Sequence, residues 1–358
     1  MYLHGGDVCG REGILDFSAN INFLGMPAAV RAAAIRGVEE AEVYPQAFNS
    51  KLEWKIAEKY ALKPCDIVCG NGAAEIIFAF FGAIKAKRAL VAEPTFCEYE
   101  RALAGAMDKC GIVRHMLTEE NGLELGEDIL DKITDDIDAV VVCNPNNPTG
   151  VIYDKGLLLE ILERCKSMGV WLFVDESFIE LTMQYKSGSL FDMINNGSYD
   201  KLFILRSFTK LYAMAGLRLG FGLCANQGLM ERVRGILQPW NISLPAQYAG
   251  LAALEEEEFA ERSRAAVAAE REYMRGRLDG IARVYGGAAN FLLFYVKNDV
   301  LDDNGRGHLY NQCLERGILI RDCSNFYGLG CGWYRAAVRC REDNERLIEV
   351  LGELLQKV

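Results

Sequence analysis

Short, unbroken apolar runs recur along the chain, separated by stretches with helical spacing. Residues 89–92, 139–143, 170–174, 202–205 and 219–223 each predict a buried strand. None alternates apolar with polar positions, which is the pattern of strands covered on both faces by helices. Between them, 127–133 and 157–168 carry helical spacing. Alternation of this kind predicts an α/β fold with a mostly parallel sheet and crossover helices. The longest apolar run, 76–84, has nine residues, about half of the roughly 18 that a membrane helix needs.

The texture changes after Pro239. Residues 246–278 are rich in Ala, Glu and Arg and read as one or two long helices, with the acidic run 255–258 as a solvated helix face. A second α/β pattern follows: strand 290–296, helix 308–316, strand 317–321, strand 334–339 and a closing helix 343–357. The expected division is a large domain over 33–238 and a smaller one formed by 1–32 with 239–358, the N-terminal arm joining the C-terminal part in space.

Composition narrows the function classes. Among 358 residues, 50 are acidic and 39 basic, a net charge of −11, which argues against a nucleic-acid binder. The first residues, with His4, Gly5 and Gly6, lack the charged-then-apolar layout of a signal peptide, so a cytoplasmic protein is expected. Twelve cysteines run from Cys9 to Cys340 and no two stand at CxxC spacing; Cys65 and Cys69 are four apart, and there are three histidines. Reduced thiols and no metal are expected.

The stretch Ser207-Phe208-Thr209-Lys210-Leu211-Tyr212-Ala213-Met214-Ala215-Gly216-Leu217-Arg218 follows a predicted strand. A lysine among apolar residues has a lowered pKa and attacks aldehydes. The hydroxyls of Ser207 and Thr209 with the Arg218 guanidinium suit a phosphate monoester. Alone, the stretch also fits a surface loop with Lys and Arg lying along it. Asn144-Pro145-Asn146-Asn147-Pro148-Thr149-Gly150 follows another strand and, alone, also fits a turn. Val174-Asp175-Glu176 puts carboxylates at a strand's C-terminal end, where open α/β sheets place ligands. Cys69-Gly70-Asn71-Gly72-Ala73-Ala74-Glu75 leads into an apolar helix whose first-turn N–H groups can bind phosphate.

Asn147, Asp175, Lys210 and Arg218, separated by 28, 35 and 8 residues, together resemble the fold type I pyridoxal-phosphate enzymes of the aminotransferase class, over nearly the whole chain. The resemblance implies that fold, with a large domain holding a mostly parallel sheet between helices and a smaller α/β domain. It also implies pyridoxal 5'-phosphate as cofactor, held covalently by Lys210, which later moves protons. Asp175 would pair with the pyridine nitrogen. Asn147 would donate to the phenolic oxygen, and Phe96, in Pro94-Thr95-Phe96, would stack on the ring. Gly72, Ala73, Ala74, Ser207, Thr209 and Arg218 would cradle the phosphate. Tyr44, in Tyr44-Pro45, resembles the tyrosine that reaches the phosphate from a neighbouring subunit, implying a homodimer. Arg335 resembles the arginine that grips the substrate carboxylate. Where the class usually has a tyrosine three residues after the aspartate, this chain has Phe178, which cannot donate a hydrogen bond.

The opening His4-Gly5-Gly6 with Asp16-Phe17-Ser18-Ala19-Asn20-Ile21-Asn22 resembles that of the threonine-phosphate decarboxylases. So do Arg321-Asp322-Cys323-Ser324-Asn325-Phe326 and Arg335-Ala336-Ala337-Val338-Arg339, although Phe23 stands where proline is expected. The implied reaction is decarboxylation of L-threonine O-3-phosphate, or an analogue such as serine phosphate, in cobalamin side-chain assembly. Arg321 and Arg335 would be two cationic grips, with His4 and Asn20 completing the substrate site. A histidinol-phosphate-type aminotransferase is the alternative. A non-catalytic sensor is a third reading, but such regulators carry a DNA-binding domain ahead of this fold, whose pattern here starts within the first twenty residues. The expected partners are therefore a phosphorylated amino acid or amine and a second copy of the chain, not nucleic acid or a membrane.

Overall fold

A computed structural model of the protein describes residues 4–355, apart from 9, 11, 49, 107–109, 196, 198 and 304. The strands, in chain order, are β1 (Leu15–Asp16), β2 (Ile67–Asn71), β3 (Arg88–Glu93), β4 (Gly111–Met116), β5 (Ala139–Cys143), β6 (Trp171–Asp175) and β7 (Leu202–Ser207). They continue with β8 (Leu219–Leu223), β9 (Arg283–Tyr285), β10 (Phe291–Tyr295), β11 (Ile318–Leu319), β12 (Arg321–Asp322) and β13 (Trp333–Ala337).

Seven strands form one sheet in the order β2-β8-β7-β6-β5-β3-β4. β8 runs antiparallel to β2 and β7, and the other pairs are parallel. Both faces are covered, as the unalternating runs predict. On β5, Val140 and Val142 pack into one apolar cluster while Ala139, Val141 and Cys143 pack into another on the opposite face. β2 and β4 are additions to the sequence reading. β2 ends in Gly70-Asn71, which reads locally as a turn, and β4 is an edge strand interrupted by Arg114 and His115.

A second sheet, β12-β13-β10-β9, is antiparallel and carries its own core around Phe17, Phe294 and Tyr334. The N-terminal segment is threaded into it. β1 pairs in parallel with β11, and the Ala337 amide donates to the Phe17 carbonyl at 2.8 Å. Phe23, where proline was expected, packs against both the main core and this smaller one.

Several element boundaries differ from the expectation. Residues 127–133 form a 3-10 helix, Glu127–Lys132, too short to fix α geometry. Residues 246–278 form two helices, Leu244–Ala253 and Glu257–Leu278. The acidic run therefore straddles the break, with Glu257 and Glu258 in the first turn of the second helix, where negative charge complements its dipole. The single strand expected over 317–321 is split, β11 serving β1 and β12 serving β13. Cys9, and the end of the closing helix at Lys357, lie outside the described residues. Every described cysteine is a free thiol, and among the described residues no helix is long and apolar enough to cross a membrane.

Candidate active site

The parallel strands end along one edge of the large sheet, and the chemically capable residues sit at or just beyond those ends. Asp175 closes β6 and Ser207 closes β7; Asn147 follows β5 and Phe96 follows β3. This is the edge where ligands bind in open α/β sheets. Glu176 turns away: its carboxylate is buried in an ion pair with Arg206 at 2.7 Å, braced by Ser189, so it supports the end of β6 from behind.

A cleft of about 140 Å³ is lined by Ala73 and Ala74 at one end and Asp175 at the other, with Phe96, Asn147, Phe178 and Lys210 between. Ser207, Thr209 and Arg218 complete the Ala73 end. That end is built for an oxyanion. The helix Ala73–Ile84 has Gly72 as its N-cap, without any side-chain cap, so its first N–H groups have no intrahelical partner. Gly72 has φ +80°, and a Cβ there would lie 2.4 Å from Arg218 Nη2; glycine lets the guanidinium come down onto the backbone. The opposite end offers a buried carboxylate, and the middle offers an amine and an amide. A phosphate-bearing pyridine aldehyde fits this donor set end to end.

Burial pushes the Asp175 carboxyl above its ordinary range, while hydrogen bonds from Ser177 and Tyr99 and the Lys210 charge pull it back. Lys210 moves the other way, down to about 8, because of burial and the nearby Arg335 and Arg218. Its Nζ lies 5.4 Å from the centre of the Phe178 ring. Phe178 itself packs edge-on against Phe291 at 5.1 Å.

The cleft opens into a chamber of about 410 Å³, which holds His4, Asn20, Arg321 and Arg335 together with Lys210. Arg335 is 5% exposed. It donates to Asn147 Oδ1 and, at 2.9 Å, to the Ser18 carbonyl. Its Nε has no partner, and among the described residues no carboxylate pairs with it. Burial and the neighbouring Arg321 lower its pKa to about 10. Asn20 is 4% exposed, with Oδ1 unpartnered. The arm carrying Asn20 is pinned to the lysine segment: Asn22 N donates to the Lys210 carbonyl at 3.1 Å and Asn22 Nδ2 to the Leu211 carbonyl at 2.7 Å.

His4 roofs the chamber, with Nε2 2.9 Å from Glu98 Oε1. Cys97 stands beside them, and the three potential ligand atoms lie within 4.8 Å of one another. Glu98 is already held by Arg101 at 2.7 and 2.8 Å, so its charge is spent on the arginine and the cluster fastens the arm. Tyr44 is set apart from the other named residues. It is 80% exposed, meets the Trp240 ring at a tilt with centroids 4.8 Å apart, and lines neither cavity.

Tyr99 was not singled out in the sequence. Fully buried, it donates its hydroxyl to Asp175 Oδ2 at 2.6 Å, and its ring meets Phe96 edge-on at 5.8 Å. The available signal was its place one turn after Phe96, with Tyr99 N bonded to the Phe96 carbonyl. Removing the hydroxyl takes away one of the bonds that keep Asp175 ionised, so Tyr99→Phe should raise the Asp175 pKa further. The acidic limb of the kcat–pH profile is expected to move to higher pH. A limb that stays in place would show the bond to be merely structural.

The chain matches the family model for aminotransferase class I and II over residues 12–351. It is 36% identical to the threonine-phosphate decarboxylase of Salmonella typhimurium, over 96% of this chain and 91% of that one. It is 32% identical to a histidinol-phosphate aminotransferase of Methanothermobacter thermautotrophicus, over 96% and 89% of the two chains. Among solved structures, the histidinol-phosphate aminotransferase from Clostridium acetobutylicum superposes with a TM-score of 0.87 at 30% identity, covering 96% of this chain and all of that one. The chain therefore belongs to the class I and II aminotransferase family, and is a fold type I enzyme dependent on pyridoxal 5'-phosphate.

Proposed function

We propose that the protein decarboxylates L-threonine O-3-phosphate, or a close analogue such as serine phosphate, to an amino-alcohol phosphate and CO2, a step of cobalamin side-chain assembly. The observation that carries this reading is the pair Arg335 and Arg321 in one chamber with Lys210, the first buried without a carboxylate partner. A buried guanidinium in that state calls for an anion, and a substrate with both a carboxylate and a phosphate supplies two. The relative at 36% identity, named a threonine-phosphate decarboxylase, supports the same choice.

The residues divide the work as follows. Ala73, Ala74, Ser207, Thr209 and Arg218 hold the cofactor phosphate, Phe96 covers the ring, and Asp175 keeps the ring nitrogen protonated. Bound in this way, the cofactor supplies an electron sink that stabilises negative charge at the substrate Cα. Arg335 and Arg321 orient the substrate. Which bond to Cα would be activated depends on how they hold the substrate, and a displacement of about an ångström would be enough to change the choice. Were the carboxylate presented, CO2 would leave and Lys210 Nζ would return a proton to Cα; were the hydrogen presented, Lys210 would instead carry that proton away, the outcome of an aminotransferase. His4 and Asn20 close the chamber from the arm.

We assign Tyr44 to the site of a second copy. It stands on the outside in contact with the exposed Trp240, next in the chain to the exposed Val43, and exposed apolar groups that adjoin one another are of the kind that marks an interface. The working unit is then a cytoplasmic homodimer, and each protomer divides at about 33–238 and 1–32 with 239–358.

The test is a single-turnover reaction of the cofactor-loaded protein with L-threonine O-3-phosphate, following CO2 and the cofactor absorption together. Stoichiometric CO2 with the original spectrum restored is the expected result. Absence of CO2, with conversion to the amine form of the cofactor by histidinol phosphate or glutamate, would select the aminotransferase reading. Phe178→Tyr returns the hydroxyl the class usually has, and the pH at which the bound cofactor's spectrum titrates is expected to shift. An unchanged titration would mean that the missing hydroxyl has no electronic consequence.

A further inference from the structure

Beside the reaction chamber lies a second cavity of about 380 Å³, lined by Arg306, Tyr310, Arg321 and Asp322 from the C-terminal part and by residues 4–7 and Ser18 from the arm. His4, Gly5, Gly6, Ser18 and Arg321 line both cavities. The partition is a strap that needs glycine. A Cβ on Gly5 would sit 2.1 Å from the Ser18 carbonyl oxygen, and Gly6 adopts φ +85° while its N–H donates to Ser18 Oγ at 2.7 Å. The strap thus lies flat on Ser18 and leaves room on both sides.

We propose that this outer cavity is a second anion site, in which Arg306, Tyr310 and Arg321 take the phosphate group of a phosphorylated small molecule. Arg306 lies 4.7 Å over the Tyr310 ring and donates to the Tyr310 hydroxyl at 2.5 Å. Among the described residues no carboxylate pairs with its guanidinium and its other side-chain N–H groups have no partner. Two of the carboxylates close by are bonded to other groups. Asp322 accepts from Gly307 N at 2.7 Å and Ser324 N at 2.8 Å. Asp302 accepts from Arg306 N at 2.9 Å and Asn311 Nδ2 at 2.7 Å. Asp7 also lines the cavity and is exposed to solvent. The cavity thus offers a planar fork of donors held by an aromatic ring and a buried phenol, with the positive charge of Arg321 beside them, whose guanidinium is held by the Asp322 carbonyl and Asn325 Oδ1. That set matches a tetrahedral oxyanion with several acceptor oxygens, in a cavity of small-molecule size.

The phosphate has two sources: the substrate on its way to the inner chamber, or free inorganic phosphate. The experiment titrates the cofactor-loaded protein with inorganic phosphate by calorimetry, comparing the wild type with Arg306→Gln and Tyr310→Phe. The expected result is a phosphate-binding event in the wild type that Arg306→Gln weakens roughly tenfold or more, with the cofactor spectrum unchanged. Tyr310→Phe keeps the ring under Arg306 and should weaken the same event by a smaller factor. If the substrate passes through, Arg306→Gln also raises KM for the phosphorylated substrate several-fold at constant kcat. If free phosphate is the ligand, KM stays and the inhibition of the wild type by phosphate is lost. Identical phosphate titrations for all three proteins would overturn the assignment. The titration does not depend on the reaction catalysed, so an absence of CO2 release would count against the decarboxylase alone.

Discussion

Replacing Lys210 by alanine is expected to lower turnover by about a thousandfold or more, and to leave pyridoxal phosphate bound without a covalent link to the chain. Both effects come from one nitrogen. Lys210 Nζ is the amine in the cleft that also faces the chamber holding Arg335 and Arg321. A positioned group that transfers protons contributes on the order of 10²–10⁴, and loss of the nucleophile adds to that. The phosphate cradle at Ala73, Ala74 and Arg218 is untouched, so the cofactor should still be retained by dialysis, whereas borohydride should no longer fix it to the protein. The lowered pKa has its own consequence. The neutral amine is the nucleophile, and it dominates above about 8 instead of above the ordinary lysine value. The rate at which apoprotein takes up the cofactor covalently should therefore rise with pH and level off just above 8. A plateau displaced toward 10 would contradict the environment described for this lysine. An alanine variant that still links the cofactor would remove Lys210 from its assigned role.

Asp175→Asn is expected to lower kcat by about two to three orders of magnitude, the scale seen when one preorganised electrostatic partner is removed. Asparagine keeps the shape; its one carbonyl oxygen can accept from Ser177 N while its NH2 donates to the Tyr99 hydroxyl oxygen, but it carries no charge to hold a proton on the ring nitrogen. Stability should move differently. In the apoprotein, burial raises the Asp175 pKa above its ordinary value, so its ionised form disfavours the folded state at neutral pH. That penalty sets in as pH rises through the unfolded pKa and is complete above the folded one. The neutral amide removes it, and the apo variant should melt at pH 7 no lower than wild type. Thermal melts of the apoprotein beside turnover of the loaded enzyme test both halves. Loss of activity together with a clearly lower melting temperature would mean that the carboxylate is a structural strut.

Elements whose signals are local are legible in the sequence, and those that rest on distant partners are not. The five unalternating runs 89–92, 139–143, 170–174, 202–205 and 219–223 announced β3, β5, β6, β7 and β8 because strands buried on both faces have no polar positions to confuse the pattern. β2 was concealed because Gly70 and Asn71 end it, and β4 because Arg114 and His115 stand in an edge strand. At the candidate site, Asp175 and Ser207 drew attention as residues beside predicted strands, whereas Asn147 alone also fitted a turn and Phe96 was named by resemblance; the fold brings all four to one cleft. Tyr99 and Arg306 were not legible, since their meaning rests on Asp175 and on the arm at Gly5–Gly6, partners about 76 and 300 residues away that only the folded chain brings near. Tyr44 was read by resemblance alone, and within one protomer its surroundings are solvent and Trp240.

The pairing of β1 with β11 also sets an order of events during synthesis. Residues 15–16 have no strand to pair with until residues 318–319 have been made, about three hundred residues later and, at typical elongation rates, on the order of 15–60 s. Strands β2 to β8 find all their pairing partners within residues 67–223. The lysine, the aspartate and the phosphate cradle can thus come together on the ribosome well before Arg321 and Arg335 exist. A nascent chain at that stage presents a half-built enzyme, able to meet a reactive aldehyde but with no means of choosing an amino acid for it.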